Sequence, residues 1–269
     1  MRRFGSCYNI PAMLLAIDVG NTNIVVGLYD RGRLTETGRM STLSTRTVDE
    51  HAILLGGLLE RLNVPPESIA DILIVSVVPK ATAGVKAALK SICSAKPLVV
   101  GQDRPIPIRN LYKDPAQVGA DRLVNAVAAR QRYGAPVIIV DFGTAITVDV
   151  VSKPGAYLGG MIAPGMEISL EALVTRAALL PRIDLAKPKA VLGRDTVTSM
   201  QSGIAHGYGA LCDGLVNALK QSVKIRRCPV VATGGHAPFI APYCQTVTAV
   251  DPHLTLDGLA IIHHLKYRN

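Results

Sequence analysis

Two segments of this chain set a carboxylate beside glycine and hydroxyl or amide residues at the close of an apolar run. Leu14-Leu15-Ala16-Ile17 leads into Asp18-Val19-Gly20-Asn21-Thr22, and Val137-Ile138-Ile139-Val140 leads into Asp141-Phe142-Gly143-Thr144. An aspartate at a strand end followed by a glycine turn suits a phosphate–metal site. Glycine lets the backbone approach a phosphate, and successive N–H groups face its oxygens. The carboxylate holds a hard cation, directly or through water. Asn21, Thr22 and Thr144 add side-chain donors. The same residue types also build plain β-turns. Repetition after two buried strands favours the phosphate reading, since two such hairpins facing each other would grip a polyphosphate from both sides.

Further candidates surround these hairpins. Gly234-Gly235 follows the apolar run Pro229 to Ala232 and would let a flat base or ribose lie on bare backbone. Ordinary turn chemistry explains it equally well, as it does Gly159-Gly160 and Pro164-Gly165. Gly119-Ala120-Asp121-Arg122 opens a helix. Asp121 reads either as an N-cap or as an acid–base carboxylate beside a fixed cation, at a helix N-terminus where anions are welcome; spacing alone leaves both open. The sequence contains no Gly-Lys dipeptide and therefore no Walker A loop, and no H-E-x-x-H, G-x-S-x-G or strand-borne G-x-G-x-x-G. The six histidines lack metal-site spacing and read as satisfied surface or core residues.

The elements that must position these groups also repeat. Leu14 to Val19, Asn23 to Tyr29 and Arg33 to Met40 read as strands, with a turn at Asp30-Arg31-Gly32. In the second copy Val137 to Asp141, Ala145 to Val151 and Tyr157 to Ile162 read as strands, with a turn at Lys153-Pro154-Gly155. Each half thus opens with an antiparallel meander. Helical periodicity follows at Val48 to Leu62 in the first half and Thr196 to Gln221 in the second. Asp71 to Val77, Pro97 to Val100 and Pro229 to Ala232 read as buried strands, and Asp121 to Tyr133 and Leu256 to Leu265 as helices. The expected architecture is α/β, with duplicated β-β-β-α-β-α halves and a cleft between them. The helix at Thr196 to Gln221 contains Gly203, Gly207, Gly209 and Gly214. That tally implies either close backbone packing or a break near Gly207-Tyr208-Gly209.

Composition narrows the class. Hydrophobic residues make up 49% of the 269 residues and charged ones 18%, which excludes global disorder. The apolar runs are far shorter than the ~18 residues of a spanning helix. Five scattered cysteines without a C-x-x-C pair argue against a disulfide framework or zinc site and for a reducing cytoplasm. Residues 1–12 lack the apolar stretch of a signal peptide. They read as a flexible extension ahead of Met13, followed by subdomains at 13–118 and 119–269. The net charge of +9 attracts anions. With aromatics at 4% and no tryptophan, stacking platforms are scarce, which disfavours nucleic acid over phosphorylated small molecules.

In combination these residues closely resemble type III pantothenate kinase. The resemblance rests on D-x-G-N-T-N with Gly27, Tyr112 ahead of G-A-D-R at 119–122, D-F-G-T-A-x-T at 141–147, G-G-M-I-x-P-G at 159–165, L-G-x-x-T at 192–196 and A-T-G-G at 232–235. D-x-G alone is common to the actin, acetate kinase and sugar kinase superfamily; G-A-D-R, Tyr112 and L-G-x-x-T are more specific. The resemblance implies an actin-like (ribonuclease H-like) fold, a homodimer, and ATP-dependent phosphorylation of pantothenate at its primary hydroxyl, the first step of coenzyme A synthesis. Asp18, Val19, Gly20, Asn21, Thr22, Asn23, Ile24 and Val25 match the family's ATP-phosphate loop, with Asp18 near magnesium through water, and Thr144 matches a second ATP contact. Asp121 matches the proton acceptor. Tyr112, Gly119, Ala120, Arg122 and Thr196 match pantothenate contacts alongside Asp121. Asp141 matches the ligand of a monovalent cation, potassium or ammonium. The contrasting expectation is a catalytically silent actin-like regulator that binds DNA or a protein partner; the intact G-A-D-R and D-F-G-T-A motifs disfavour it, since a pure binder needs no base.

Overall fold

A computed structural model describes residues 13–265; the expected extension at 1–12 lies outside the described residues. The chain forms two compact units. The first runs to Pro107 and takes in Ala116–Ala128 and the chain from Thr255 onward; the second comprises Ile108–Pro115 and Ala129–Leu254.

The first unit is built on strands β1 (Met13–Val19), β2 (Asn23–Asp30), β3 (Arg33–Ser41), β4 (Asp71–Ser76) and β5 (Pro97–Val99), in the order β3-β2-β1-β4-β5. β1 pairs antiparallel with β2 and parallel with β4. Side chains alternate across the pleat, and both faces of β1 are buried. Leu15, Ile17 and Val19 join Ile72 and Ile74 of β4 in one core with helices α1 (Val48–Arg61) and α2 (Pro79–Ile92). α1 starts on a capping box in which Thr47 and Glu50 satisfy each other's backbone donors. Helices α3 (Ala120–Tyr133) and α7 (Leu254–Leu265) also contribute to this unit. The Cβ that Gly27 of β2 lacks would lie 2.8 Å from Leu256 of α7. Tyr29 donates to Asp257 at 2.7 Å, His263 pairs with Asp71 at 3.0 Å, and Arg104 donates to the Ile262 carbonyl at 2.9 Å.

The second unit repeats the plan. Strands β6 (Val137–Phe142), β7 (Ala145–Val151), β8 (Tyr157–Pro164), β9 (Val230–Thr233) and β10 (Ala249–Val250) run in the order β10-β9-β6-β7-β8. That order matches the first sheet when the two are read in the same direction from the meander edge. β6 again has an antiparallel neighbour, β7, and a parallel one, β9. The unit also holds α4 (Met166–Arg176), α5 (Thr196–Ser222) and the short α6 (Ala237–Ile240). Tyr208, Cys212, Val216 and Leu219 of α5 pack on Ile138, Val140 and Phe142 of β6. Among the described residues no helix is long and apolar enough to cross a membrane.

The expected strands and helices form, with their ends displaced by at most a residue or two. The break near Gly207-Tyr208-Gly209 does not occur: α5 is continuous over 27 residues. Close packing is found at Gly209, whose missing Cβ would collide with the Tyr243 carbonyl and lie 2.7 Å from the Tyr243 Cβ. At Gly203, Gly207 and Gly214 a Cβ would meet nothing within 4 Å. The two classes of glycine should respond oppositely to alanine. Gly207→Ala should raise chain stability by up to ~1 kcal/mol through helix propensity, and Gly209→Ala should lower it by ~1–3 kcal/mol through overpacking. Urea denaturation of the two variants checks both signs.

Candidate functional site

In the first unit the phosphate-type hairpin forms at the carboxyl end of β1. Asp18 pairs with Val25, and Gly20 N–H closes the turn on the Asn23 carbonyl at 3.0 Å. Thr42 braces it from beyond β3: its N–H donates to the Thr22 carbonyl at 2.8 Å and its hydroxyl to the Gly20 carbonyl at 2.7 Å. This leaves Asn21, Thr22 and Asn23 exposed while Asp18 is half-buried behind them. Ile24 is buried and anchors the return strand, and Val19 lies in the core. Beside β1, the last residue of β4, Ser76, donates to the Val19 carbonyl at 3.3 Å and accepts from Val78 N–H at 3.0 Å, just before α2 begins.

The G-A-D-R element reaches the same end of this sheet. The missing Cβ of Gly119 would lie 3.4 Å from Val77, the residue after β4, and would collide with the Asp121 Oδ1. Glycine is therefore required for the Asp121 carboxylate to stand where it does. α3 begins at Ala120, so Asp121 occupies its first turn rather than the N-cap, and its Oδ1 accepts the Arg122 N–H at 2.8 Å. Arg122 is buried. The structure thus brings Asp121 and the Asp18 hairpin to one end of one sheet.

In the second unit three glycine elements converge on Asp141. Gly143 N–H closes the D-F-G-T hairpin on the Ala145 carbonyl at 3.2 Å. Gly165 N–H donates to the Thr144 carbonyl at 3.2 Å, and a Cβ on Gly165 would lie 2.6 Å from the Gly143 carbonyl. Gly234 has φ +89°, and its missing Cβ would collide with Asp141 Oδ1 and lie 2.7 Å from the Phe142 carbonyl. A carboxylate oxygen and a main-chain carbonyl oxygen thus border one small cradle that a methyl group would fill. Hard oxygen donors of this kind fit an alkali cation. Gly165 and Gly234 are both pressed against the hairpin, which accounts for glycine at each.

Tyr112 lies in the second unit, its N–H bound to Asn110 Oδ1 at 3.0 Å and its ring 3.2 Å from the Cβ position of Gly159, which has φ +124°. The segment carrying it is tied to β8 by Leu111 N–H to the Tyr157 carbonyl at 2.9 Å. Thr196 is exposed at the start of α5, whose N-cap Asp195 accepts the Thr198 N–H at 2.8 Å. It lines an open depression of about 650 Å³ with Gly193, Met200 and Gly203.

The sequence reading missed two features. The Nδ1 atoms of His51 and His236 are buried without a hydrogen-bond partner, so neither ring is fully satisfied. His51 is wedged between α1 and Gly84 of α2, where burial holds its pKa below the ordinary range. His236, one residue past Gly235, pairs through Nε2 with Glu167 at 3.3 Å on the wall of a cavity of about 640 Å³. A histidine directly after the glycine pair was the available signal.

Residues 14–218 match the family model described as type III pantothenate kinase. The chain is 46% identical over 251 residues to the type III pantothenate kinase of Geobacter sp. (strain M21), covering 93% of this chain and 98% of that protein. It is 47% identical over 252 residues to that of Geobacter sulfurreducens, with the same coverage. Among solved structures, the ethanolamine utilization protein EutJ from Carboxydothermus hydrogenoformans superposes with a TM-score of 0.58 at 13% identity, covering 94% of this chain and 90% of that one. That likeness concerns the fold, which is the actin-like duplicated α/β architecture.

The cradle at Asp141 makes a direct prediction. Gly234→Ala combines left-handed backbone strain with overlap on a carboxylate and a carbonyl, and should destabilise the chain by ~2–4 kcal/mol. An unchanged urea midpoint would show that the turn relaxes freely.

Proposed function

The chain belongs to the type III pantothenate kinase family, and from that premise we propose that it transfers the γ-phosphoryl group of ATP to the primary hydroxyl of pantothenate, in the cytoplasm, opening coenzyme A synthesis. The observation that carries the reading is the Asp121 carboxylate, seated by Gly119 at the sheet end where the Asp18 hairpin turns.

Phosphoryl transfer asks for positioning and charge stabilisation more than for covalent chemistry. In this proposal the backbone from Gly20 to Val25 and the side chains of Asn21, Thr22 and Asn23 bind the ATP phosphates, and Thr144 is a further ATP-binding residue. Asp18 would hold magnesium and Asp141 would hold potassium or ammonium, ions that when bound would supply fixed positive charge. The exposed backbone of Gly235 and the adjoining cavity offer room for the nucleoside. Tyr112, Gly119, Ala120 and Thr196 orient pantothenate. Burial of Arg122 supports a role in fixing the geometry of the first turn of α3.

Asp121 accepts the hydroxyl hydrogen bond. A carboxylate is far too weak a base to deprotonate an alcohol in advance. It takes the proton late, as the O–P bond forms. The homodimer belongs to the same proposal.

The decisive assay is ADP release with ATP, magnesium and pantothenate, in potassium and in sodium alone. Turnover requiring both pantothenate and potassium is the expected result. A folded chain without pantothenate-dependent turnover in either salt would overturn the reading. Asp121→Asn should keep its melting temperature and lose ~10²-fold or more in kcat. Gly119→Ala, which leaves the carboxylate in place chemically but displaces it, should keep most of its stability and still lose ~10-fold or more. Near wild-type kcat in both variants would remove Asp121 from the base role.

A further inference from the structure

Cys212 and Cys244 take no part in the chemistry above, yet the fold brings them together. Cys212 lies on the buried face of α5, and Cys244, half-buried, follows the 3₁₀ turn Ala241–Tyr243. Their sulfur atoms and a carboxylate oxygen of Asp213 all lie within 4.8 Å of one another. Two local features enforce this. Gly209, one helical turn before Cys212, admits the Tyr243 backbone directly onto α5. Asp213 then clasps the next residues: its Oδ2 accepts Gln245 N–H at 2.8 Å, and its Oδ1 accepts Thr246 N–H at 2.8 Å and the Thr246 hydroxyl at 2.6 Å. With the carboxylate committed to these donors, only two sulfurs remain, short of the four ligands a structural zinc takes.

We propose that Cys212 and Cys244 form a reversible intramolecular disulfide when a hydroperoxide is present. Cys244 is the partly exposed residue of the pair, whereas Cys212 is wholly buried. The hydrogen bond from the Cys212 thiol holds Cys244 below the usual thiol range, and that bond together with burial pushes Cys212 far above it. The Cys244 thiolate attacks one peroxide oxygen, the O–O bond breaks, and the departing hydroxide leaves as water once protonated, giving a sulfenic acid. The Cys212 sulfur then displaces hydroxide from the Cys244 sulfur. The S–S bond forms, and the Cys212 proton leaves with that hydroxide as a second water. Two thiols and one hydroperoxide thus become one disulfide and two waters when the oxidant is hydrogen peroxide. The closed loop contains the Gly234–Gly235 turn and α6, so oxidation straps to α5 the segment that packs on Asp141.

The test uses the full reduced chain treated with near-stoichiometric hydrogen peroxide, then alkylated in denaturant and analysed by intact mass and peptide mapping. The expected result is alkylation at three cysteines where the untreated chain is alkylated at all five, a Cys212–Cys244 cross-linked peptide, a rise of several degrees in melting temperature, and full reversal by dithiothreitol. Cys212→Ser should stop at a sulfenic acid on Cys244 that dimedone captures, and Cys244→Ser should form no disulfide. Pairing through Cys7, Cys93 or Cys228, a cross-link between chains, or all five thiols still alkylatable after treatment would overturn the proposal. The wild-type peptide map decides the matter even if a serine variant does not fold.

Discussion

Each sheet turns on one strand held between unlike neighbours. β1 has β2 antiparallel on one side and β4 parallel on the other, and β6 stands likewise between β7 and β9. At the carboxyl end of such a strand the chain folds back into the hairpin on one side, while the parallel neighbour departs on the other. Backbone groups there are left without ladder partners, and a carboxylate on the penultimate or near-penultimate residue stands at the opening. Asp18 and Asp141 occupy that place. Open α/β sheets place ligands at this kind of topological switch point. The glycines, the bracing by Thr42 and the approach of Gly165 and Gly234 all follow from keeping the opening narrow and lined by backbone.

Much of this was legible in the sequence because it is local. Strands β1, β2, β6 and β7 are apolar runs bounded by turn residues, and the repeat of the D-x-G element betrays the duplication. The matching strand order of the two sheets confirms it. Helix α2 was harder to read because Pro79–Ile92 has few large apolar residues: Ala81 and Ala88 share its buried face with Val85 and Leu89. What stayed hidden is non-local. Nothing in the spacing of Gly234 reveals that it presses on a carboxylate nearly a hundred residues earlier. Nothing near Gly209 reveals that Tyr243 lies on it. A glycine shows in sequence that something comes close; only the fold shows what.

Fold and family make separate contributions to the functional reading. A likeness at 13% identity fixes an architecture that serves many chemistries. The narrower assignment rests on relatives of 46–47% identity across nearly the whole chain, and on elements such as G-A-D-R whose geometry has a chemical rationale. Gly119 illustrates the difference. Conformation alone does not demand glycine there, but the position of the Asp121 carboxylate does.

The return of α7 to the first unit has a bearing on biosynthesis. Its Asp257 and His263 side chains pair with Tyr29 and Asp71, its Ile262 carbonyl accepts from Arg104, and Leu256 fills the space over Gly27. Those partners leave the ribosome long before residue 254 is made. The nascent first half therefore lacks these contacts until α7 emerges, whereas β6 to β9 and α5 can assemble from contiguous chain. Although its residues come first, the first unit is the one completed last.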